Sequence, residues 1–304
     1  MPNIFSVIGR RVRSSCEYYF HFYKHRAFRS NPILVIFRGF LLILLLVFQK
    51  STIISIRFGS KKFRFNFVPL GENLGGRGIF LYREKIEPLM EFGHSLLKEG
   101  DVVIDGGANQ GVFTSAFSHA VGASGQVIAV EPFEYCHELI RLNAALNKND
   151  NIVLLKNALA DVRKEFLLDF TQGVGRSSIV RDFGAVKTLS IEGITLNDLV
   201  EKLDLKRLDL LKLDIEGAEL ATLAGGIQII ERFKPAIVIE CERQSFQDIN
   251  AILEKSSYKP YLIDENGRFE NIDYIHSNVD NLFFLRKNHL EDLESRRRSC
   301  LRFQ

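Results

Sequence analysis

Four carboxylates stand where short apolar runs of the sequence end: Asp105, Glu131, Asp214 and Glu240. The runs before them, such as residues 102–104, are apolar and often β-branched, which is typical of strands buried on both faces. In an open parallel sheet, ligands bind in the crevice at the carboxyl ends of the strands. We therefore expect these carboxylates to line one site, where they can accept hydrogen bonds from a ligand or take up a proton.

The stretch VVIDGGANQGVFTS at residues 102–115 predicts a strand, a glycine turn and the start of a helix. This order of elements builds a nucleotide-type pocket, because glycines let a ligand approach the backbone and free amides at the helix start face it. The alternative is an ordinary tight turn without a ligand. The candidate cofactor-binding residues in this stretch are Asp105, Gly106, Gly107, Ala108, Asn109 and Gly111.

The turn does not match the dinucleotide fingerprint GxGxxG, since an acid, Asp105, stands where the first glycine is expected. Asp105 would repel an anionic pyrophosphate but not a ligand with amino and sulfonium groups. This favours S-adenosylmethionine over NAD. Glu131 lies about twenty residues beyond the turn, where an acid can accept hydrogen bonds from both ribose hydroxyls. Asp161 is a candidate for the adenine amino group, although a surface carboxylate is nearly as good an interpretation.

A second cluster of charge lies in LLKLDIEGAEL, where Lys212, Asp214 and Glu216 are the candidate catalytic residues. Strand alternation puts Lys212 and Asp214 on the same face, and Glu216 shares a face with Glu219 if a helix starts at residue 215 or 216. Acids beside one lysine can position a hydroxyl or an amine and accept its proton. The alternative for Glu216 and Glu219 is stabilisation of a helix N-terminus.

A metal site is the remaining interpretation of these acids. Asp214, Glu216 and Glu240 together could form an all-oxygen magnesium site. We nevertheless expect no metal requirement.

The composition narrows the class of protein. The chain has 304 residues, of which 46 % are hydrophobic and 25 % charged, as in ordinary globular proteins. A net charge of +3 is too small to indicate nucleic-acid binding, and we expect no nucleic-acid partner. The cysteines form no CxxC pair, so we interpret them as reduced thiols of an intracellular protein rather than a disulfide framework or a zinc site. They are Cys16, Cys136, Cys241 and Cys300.

Strand and helix patterns alternate from the glycine turn onward, which predicts an α/β fold with a doubly wound, mostly parallel sheet. Before the turn, residues 53–58 and 62–68 alternate around Gly59-Ser60 and predict a β-hairpin. Residues 79–97 are predicted to be helical, with Pro88 marking either a break or the first turn of a new helix, and residues 218–233 to form one helix.

Several motifs, taken together and in order, resemble those of the FkbM family of S-adenosylmethionine-dependent methyltransferases. They are VVIDGGANQGVFT, the VEP at 130–132, the NALAD at 157–161, the TLNDL at 195–199 and LLKLDIEGAEL. The resemblance covers about residues 70–287. It implies a seven-stranded sheet with its last strand antiparallel, and O-methylation of a hydroxyl. Two positions depart from the family pattern, Asn197, where the family has an acid, and Gly106, where it has isoleucine.

The resemblance leads to one functional expectation with named alternatives. We expect methyl transfer from S-adenosylmethionine to a hydroxyl of a saccharide or a secondary metabolite, and a small-molecule or saccharide acceptor as the partner. An NAD(P)-type oxidoreductase and a non-catalytic cofactor-binding or scaffold protein are the alternatives. The sequence does not indicate an oligomeric state.

The chain divides into an N-terminal basic and apolar segment with the hairpin (1–69), a methyltransferase domain (70–290) and a charged tail predicted to fray (291–304). Residues 33–48 are the most apolar run, but sixteen helical residues extend only about 24 Å, short of the roughly 30 Å hydrocarbon core. A buried helix, a membrane-surface anchor and a true span stay open. Because S-adenosylmethionine is held in the cytosol, we expect a cytoplasmic enzyme, attached at most peripherally to the inner membrane face.

Overall fold

The computed structural model describes residues 23–69, 76–170, 178–179, 188–264, 266–275 and 279–301. The strands are β1 (Thr52–Phe58), β2 (Lys61–Phe67), β3 (Val102–Gly106), β4 (Gln126–Val130), β5 (Ile152–Leu155), β6 (Ala158–Leu159), β7 (Glu165–Asp169), β8 (Ser178–Ile179), β9 (Thr188–Ile194), β10 (Leu210–Leu213), β11 (Ala236–Glu242), β12 (Lys259–Ile263), β13 (Phe269–Asn271) and β14 (Val279–Leu285). The α-helices are α1 (Arg26–Ser30), α2 (Pro32–Phe48), α3 (Gly76–Tyr82), α4 (Pro88–Phe92), α5 (Val112–Val121), α6 (Glu134–Asn147), α7 (Leu196–Lys202), α8 (Glu219–Gly225), α9 (Ile227–Phe233), α10 (Phe246–Glu254) and α11 (Lys287–Leu301).

A large central sheet has the strand order β13-β12-β14-β11-β10-β3-β4-β5. Five adjacent strands of this sheet pair in parallel, in the order β11-β10-β3-β4-β5. The predicted mostly parallel, doubly wound α/β fold is therefore confirmed. The chain moves from β3 outward to β4 and β5, and later returns on the other side of β3 through β10 and β11. The switch point between β3 and β10 is where ligands bind in sheets of this kind.

The far side of the sheet carries the antiparallel strand that the family resemblance implies. Strand β14 lies antiparallel between β11 and β12. In addition to the seven expected strands, the short β13 pairs antiparallel with β12 at the sheet edge. A strand of three residues leaves little alternation to read in a sequence, which explains why it was not expected.

The central sheet is buried on both faces, which explains the continuous apolar runs in its strands. Strand β10 is buried along its whole length, and that includes the charged Lys212, which is 3 % exposed. A buried ammonium group requires partner charges close by. Its direct partner in the neighbouring strand β3 is Asp105.

A second, smaller sheet with the order β6-β9-β7-β8 lies between β5 and β10 along the chain. It leads into α7, which starts with a threonine cap. The Thr195 hydroxyl accepts a hydrogen bond from the Asp198 amide, and the Asp198 carboxylate accepts one from the Thr195 amide in return.

The predicted N-terminal hairpin is confirmed as β1 and β2, antiparallel around Gly59-Ser60. Its inner face carries four phenylalanines that are at most 2 % exposed and belong to the same hydrophobic core as the sheet residues Val103 and Val127. The outer edge of β2 is bonded to α6, because the Asn143 side chain accepts the Asn66 amide at 2.7 Å. The four phenylalanines are Phe58, Phe63, Phe65 and Phe67.

Helix α2 contains the apolar run of residues 33–48. One face is buried at Val35 and Leu42, and the Arg38 guanidinium donates a hydrogen bond to the Leu81 carbonyl of α3 at 3.0 Å. Among the described residues, no helix has both the length and the apolar character to cross a membrane. Residues 1–22 of the predicted N-terminal segment lie outside the described residues.

Three predicted elements differ from the structure. Residues 79–97 form parts of α3 and α4 with two 3₁₀ turns rather than one helix. Pro88 is the first residue of α4, which confirms the second of its two predicted roles, and a missing amide hydrogen costs nothing there. The single helix predicted for 218–233 is two helices, α8 and α9, that meet at Gly226. The charged tail predicted to fray from Glu291 instead continues helix α11 to Leu301.

Candidate active site

A cleft opens at the carboxyl ends of β3, β4 and β10, at the switch point of the sheet. It encloses about 680 Å³ of empty space, part of it open to solvent. Two of the predicted strand-end acids, Glu131 and Asp214, line it. The lining residues that matter below are Gly107, Asn109, Glu131, Asn157, Asp214 and Glu216.

The glycine turn is shaped by close backbone contacts. Gly107 has a φ of 71°, and a Cβ atom there would lie 1.8 Å from the Asp214 carbonyl oxygen. Gly111 has a φ of 78°, and a Cβ atom there would lie 2.6 Å from Ile140. Both positions therefore require glycine, and Gly107 holds the turn after β3 directly against the loop after β10.

Three amides of the turn donate within the protein. Those of Gly107 and Ala108 donate to the Val130 carbonyl at 3.0 and 3.3 Å, and that of Gly111 donates to Ala108 at 2.9 Å. Gly106 ends β3 and accepts from the Lys212 ammonium at 3.5 Å. These bonds fix the shape of the turn and do not involve the amides at the start of α5, which stay predicted to face a ligand.

Asp105 lies beneath the turn and not in the cleft. Its side chain is fully buried, accepts the Thr114 hydroxyl at 2.6 Å and lies 3.2 Å from the Lys212 ammonium. Its negative charge is thus compensated inside the protein. Asp105 supports the turn from below, and any effect on a bound ligand is transmitted through the backbone above it.

Lys212 joins the two predicted clusters. Its ammonium group lies 3.2 Å from Asp105 and 3.5 Å from Asp214, and 5.4 Å from the centre of the Phe113 ring. Burial by itself would lower the pKa of Lys212, but the two carboxylates outweigh it and raise that pKa above its usual value. Lys212 therefore stays protonated and orients Asp214.

Glu131 is the buried acid that lines the cleft. Its two carboxylate oxygens accept the Asn109 amide at 2.8 Å and the Phe133 amide at 3.1 Å. Burial raises the pKa of Glu131 to about 7 in spite of these two hydrogen bonds. The carboxylate is fixed in place by the backbone on both sides of the cleft.

Three further carboxylates meet at the ends of β10 and β11. Oxygens of Asp214, Glu216 and Glu240 all lie within 4.8 Å of one another. Burial, together with the negative charge of Asp214, raises the pKa of Glu240 to about 8. Negative charges held this close together favour the protonated form of a buried carboxyl group.

Glu216 and Glu219 do not share a helical face, because the helix does not start at residue 215 or 216, which was the condition for it. Glu216 lies in a loop with a φ of 52°, and α8 begins only at Glu219. The Glu219 carboxylate accepts the amides of Ile215 and Gly217, both at 2.9 Å. Glu219 therefore fixes the loop that carries Glu216 and plays the N-terminal structural role that was the alternative for both acids.

The sequence did not reveal Glu87, which precedes α4. Its carboxylate accepts the Asn281 side-chain amide of β14 at 2.5 Å. Burial and the nearby Asp214 raise the pKa of Glu87 to about 7, with Lys212 acting in the opposite direction. The only local signal was an acid directly before Pro88, which does not indicate a distant partner.

The NALAD stretch contributes a different residue from the one expected. Asp161 is exposed and does not line the cleft, whereas Asn157 does. The Asn157 side chain donates to the Glu192 carbonyl at 3.1 Å, so β9 holds it at the cleft wall. Its position directly after β5 was the available signal.

The matching family model is the methyltransferase FkbM domain, over residues 105–260. The chain belongs to this family. S-adenosylmethionine, expected from the glycine turn and from the motifs, is therefore the cofactor. No curated protein matches the sequence of this FkbM-family chain.

Three similar solved structures share less than 20 % identity with this FkbM-family chain. The methyltransferase FkbM from Methylobacillus flagellatus KT has 16 % identity and a TM-score of 0.42, over 71 % of this chain and 56 % of its own. A SAM-dependent O-methyltransferase from Thermotoga maritima has 19 % identity and a TM-score of 0.38, over 64 % of each chain. Aeropyrum pernix fibrillarin, solved with S-adenosyl-L-methionine, has 13 % identity and a TM-score of 0.36, over 62 % of this chain and 66 % of its own. The chain thus spans about half the length of the Methylobacillus flagellatus structure.

The cleft of this FkbM-family chain fits a ligand with ribose and amino groups. Glu131 offers carboxylate oxygens that suit a diol, as expected from its place after β4. The Asn109 side-chain oxygen is buried at the cleft and has no hydrogen-bond partner among the described residues. A buried acceptor without a partner costs free energy, which a donor group on the ligand would recover.

Proposed function

We propose that this protein transfers the methyl group of S-adenosylmethionine to a hydroxyl oxygen of a polyhydroxylated acceptor, a saccharide or a secondary metabolite. The observation that carries the proposal is the group of acids Asp214, Glu216 and Glu240 beside the cofactor cleft. Glu87 adds a fourth acid from outside the matched family domain. S-adenosylmethionine supplies a methyl group on a positively charged sulfur, which makes that carbon electrophilic.

The acids explain why a hydroxyl is the acceptor. As the new C–O bond forms, the S–CH₃ bond breaks and its electron pair stays on sulfur, so the oxygen must lose its proton. Asp214 is partly exposed at the cleft and can accept this proton, while Glu216 accepts a hydrogen bond from the same or a neighbouring hydroxyl. Several carboxylates together suit an acceptor with several hydroxyls.

The same charges disfavour other acceptors. An amine would be held in its protonated form by surrounding carboxylates, and a protonated amine has no lone pair for attack. An acceptor carboxylate would be repelled. Family membership speaks against the oxidoreductase alternative, and the retained acids speak against a scaffold that only binds cofactor.

Lys212 belongs to the machinery without touching the acceptor. It is buried between Asp105 and Asp214, so we assign it the role of holding Asp214 in orientation. In-line placement of the hydroxyl accounts for much of the rate in a displacement of this kind. We place the enzyme in the cytoplasm, where its cofactor is held.

The test is methyl transfer from isotopically labelled S-adenosylmethionine into host extract, followed by identification of the labelled atom. We expect label in an O-methyl group of a polyhydroxylated molecule. Label on nitrogen or carbon, or no transfer with any fraction, would overturn the proposal.

A variant pair tests the role of the acids. Asp214→Asn should lower turnover by about a hundredfold or more while cofactor affinity stays within about threefold of the parent. Asp248→Asn, at an exposed acid on α10, is the matched control and should change neither value. Full turnover in Asp214→Asn would remove Asp214 from the mechanism.

A further inference from the structure

Helix α2 presents an apolar stripe to solvent. Seven large side chains along it are at least 40 % exposed, and Phe40 and Phe48 reach 63 % and 66 %. Large exposed apolar patches on a folded protein mark contact surfaces. The stripe consists of Ile33, Ile36, Phe37, Phe40, Leu44, Val47 and Phe48.

The stripe is a fixed feature of the fold. Its members follow one another at spacings of one to four residues, which places them on one side of the helix over about 22 Å. The opposite side is anchored by Val35 and Leu42 in the core and by Arg38, which donates to the Leu81 carbonyl. The helix cannot rotate to bury the stripe without breaking these contacts.

The surrounding segment is strongly basic. The described residues 23–69 contain nine lysines and arginines and neither aspartate nor glutamate. Residues 1–69 hold 12 of the 40 basic residues and one of the 37 acids, a net charge of +11, while residues 70–304 carry −8. Exposed cations lie before the helix, at Lys24 and Arg29, and two residues after it, at Lys50.

We propose that the stripe and its cations dock this protein on an anionic lipid bilayer, with α2 lying in the plane of the surface. An apolar face inserts among the acyl chains, and cations close to the surface are attracted to anionic headgroups. A second copy of the chain is a poorer occupant, because two segments of charge +11 would repel each other. A helix of 17 residues extends about 25 Å and suits the surface better than the full membrane thickness.

Docking would orient the catalytic site. Arg26, which comes shortly before α2, forms an ion pair with Glu91 of α4, and Glu87 precedes the same helix. The acid cluster is therefore linked to the docked segment through α4.

The experiment is flotation of the full chain with vesicles of neutral phosphatidylcholine, and with vesicles that also contain about 30 % phosphatidylglycerol, at about 0.1 M and 1 M salt. We expect the bound fraction to be at least about tenfold higher on the anionic vesicles at low salt. High salt should reduce it. No binding to either vesicle would overturn the proposal.

Variants separate insertion from simple charge attraction. Phe37→Asp and Phe40→Asp should each lower binding to the anionic vesicles at least about tenfold, with cofactor affinity and the thermal midpoint unchanged. Leu142→Asp, on α6 and 55 % exposed, is the matched control and should bind like the parent. Unchanged binding in both Phe variants would overturn the proposal. So would a dimer, measured by light scattering, that Phe40→Asp converts to a monomer.

Discussion

Both ends of strands β3 and β10 carry one cation among acids, but the excess of acids is much larger at the carboxyl ends. At the amino ends, the Arg207 guanidinium donates to Asp101 at 2.9 Å and to Asp209 at 2.7 Å. Asp209 also accepts the Val102 amide at 2.8 Å. At the carboxyl ends, the ammonium of Lys212 meets Asp105 and Asp214, and three more acids lie close to Asp214. Those three are Glu87, Glu216 and Glu240.

The difference separates stability from chemistry. At the amino ends, the two acids are paired with the Arg207 guanidinium and accept backbone amides. These bonds hold β3 and β10 together. At the carboxyl ends, burial raises the pKa of Glu240 to about 8 and that of Glu87 to about 7, and the negative charge of Asp214 adds to both shifts. Titratable groups perturbed in a cleft mark a functional site.

The largest expected effect comes from breaking the buried pair at the carboxyl end. Asp105→Asn leaves the Lys212 ammonium with a single partly exposed partner and should lower the free energy of unfolding by about 3–5 kcal/mol. It should also abolish cofactor binding. Asp209→Asn at the amino end should cost only about 1 kcal/mol, because Arg207 is half exposed and keeps Asp101. Urea denaturation measures both.

A second substitution sharpens this comparison. Replacing both members, as in Asp105→Asn with Lys212→Met, should recover most of the lost stability, since no buried charge is left without a partner. Equal losses in Asp105→Asn and Asp209→Asn would contradict the distinction between the two ends.

Glu131 should contribute to cofactor affinity rather than to the fold. Glu131→Ala removes the carboxylate acceptor and should weaken S-adenosylmethionine binding by about ten- to hundredfold, or about 1.5–3 kcal/mol, in calorimetry. Glu134→Gln is the matched control, since Glu134 is an exposed acid at the start of α6 that pairs with Arg141 and Lys156. If Glu131→Ala binds as tightly as the parent, the ribose assignment fails.

The pH dependence follows from raised carboxyl pKa values. Turnover should fall as pH drops through the region from about 8 to 7, because Glu240 and Glu87 then gain protons and the negative charge that makes Asp214 a proton acceptor is reduced. Below that region the loss should approach tenfold per pH unit. Glu240→Gln should shift the apparent pKa downward, because it removes a negative charge beside Asp214. A profile that is flat from about pH 6 to 9 would contradict this role for the acids.

The smallest expected effect is that of removing metal. The oxygens of Asp214, Glu216 and Glu240 are close enough to share a cation, but a proton shared between Asp214 and Glu240 also relieves their repulsion. We therefore expect full activity in EDTA. Activity that disappears in EDTA and returns with magnesium would show that a cation, and not a shared proton, relieves the repulsion between Asp214 and Glu240.

Part of the site could be predicted because three of its acids, Glu131, Asp214 and Glu240, each end an apolar run. The carboxyl ends of parallel strands meet at one edge, so Glu131, Asp214 and Glu240 were placed near one another without knowledge of contacts. Strand alternation likewise put Lys212 and Asp214 on one face. What alternation could not show was the register that sets Lys212 opposite Asp105 and buries both.

The remaining residues depend on long-range packing or on local backbone strain. Glu87 is held at the site by a hydrogen bond from Asn281 of β14, a strand that inserts between β11 and β12. Glu216 lies in a loop outside α8, and the Glu219 carboxylate fixes that loop by accepting two of its amides. Neither effect has a signature in residue type or spacing.

The hairpin has a consequence for how this family can change. The family model begins at residue 105, yet four hairpin phenylalanines complete the core beneath β3 and β4. Asn143 accepts the Asn66 amide of the hairpin and donates to the Gln110 carbonyl of the glycine turn at 3.2 Å, so one side chain ties the two together. Recombination between relatives at residue 105 would separate the hairpin from the glycine turn that it supports. We therefore expect the hairpin at residues 52–67 to be inherited together with the matched domain.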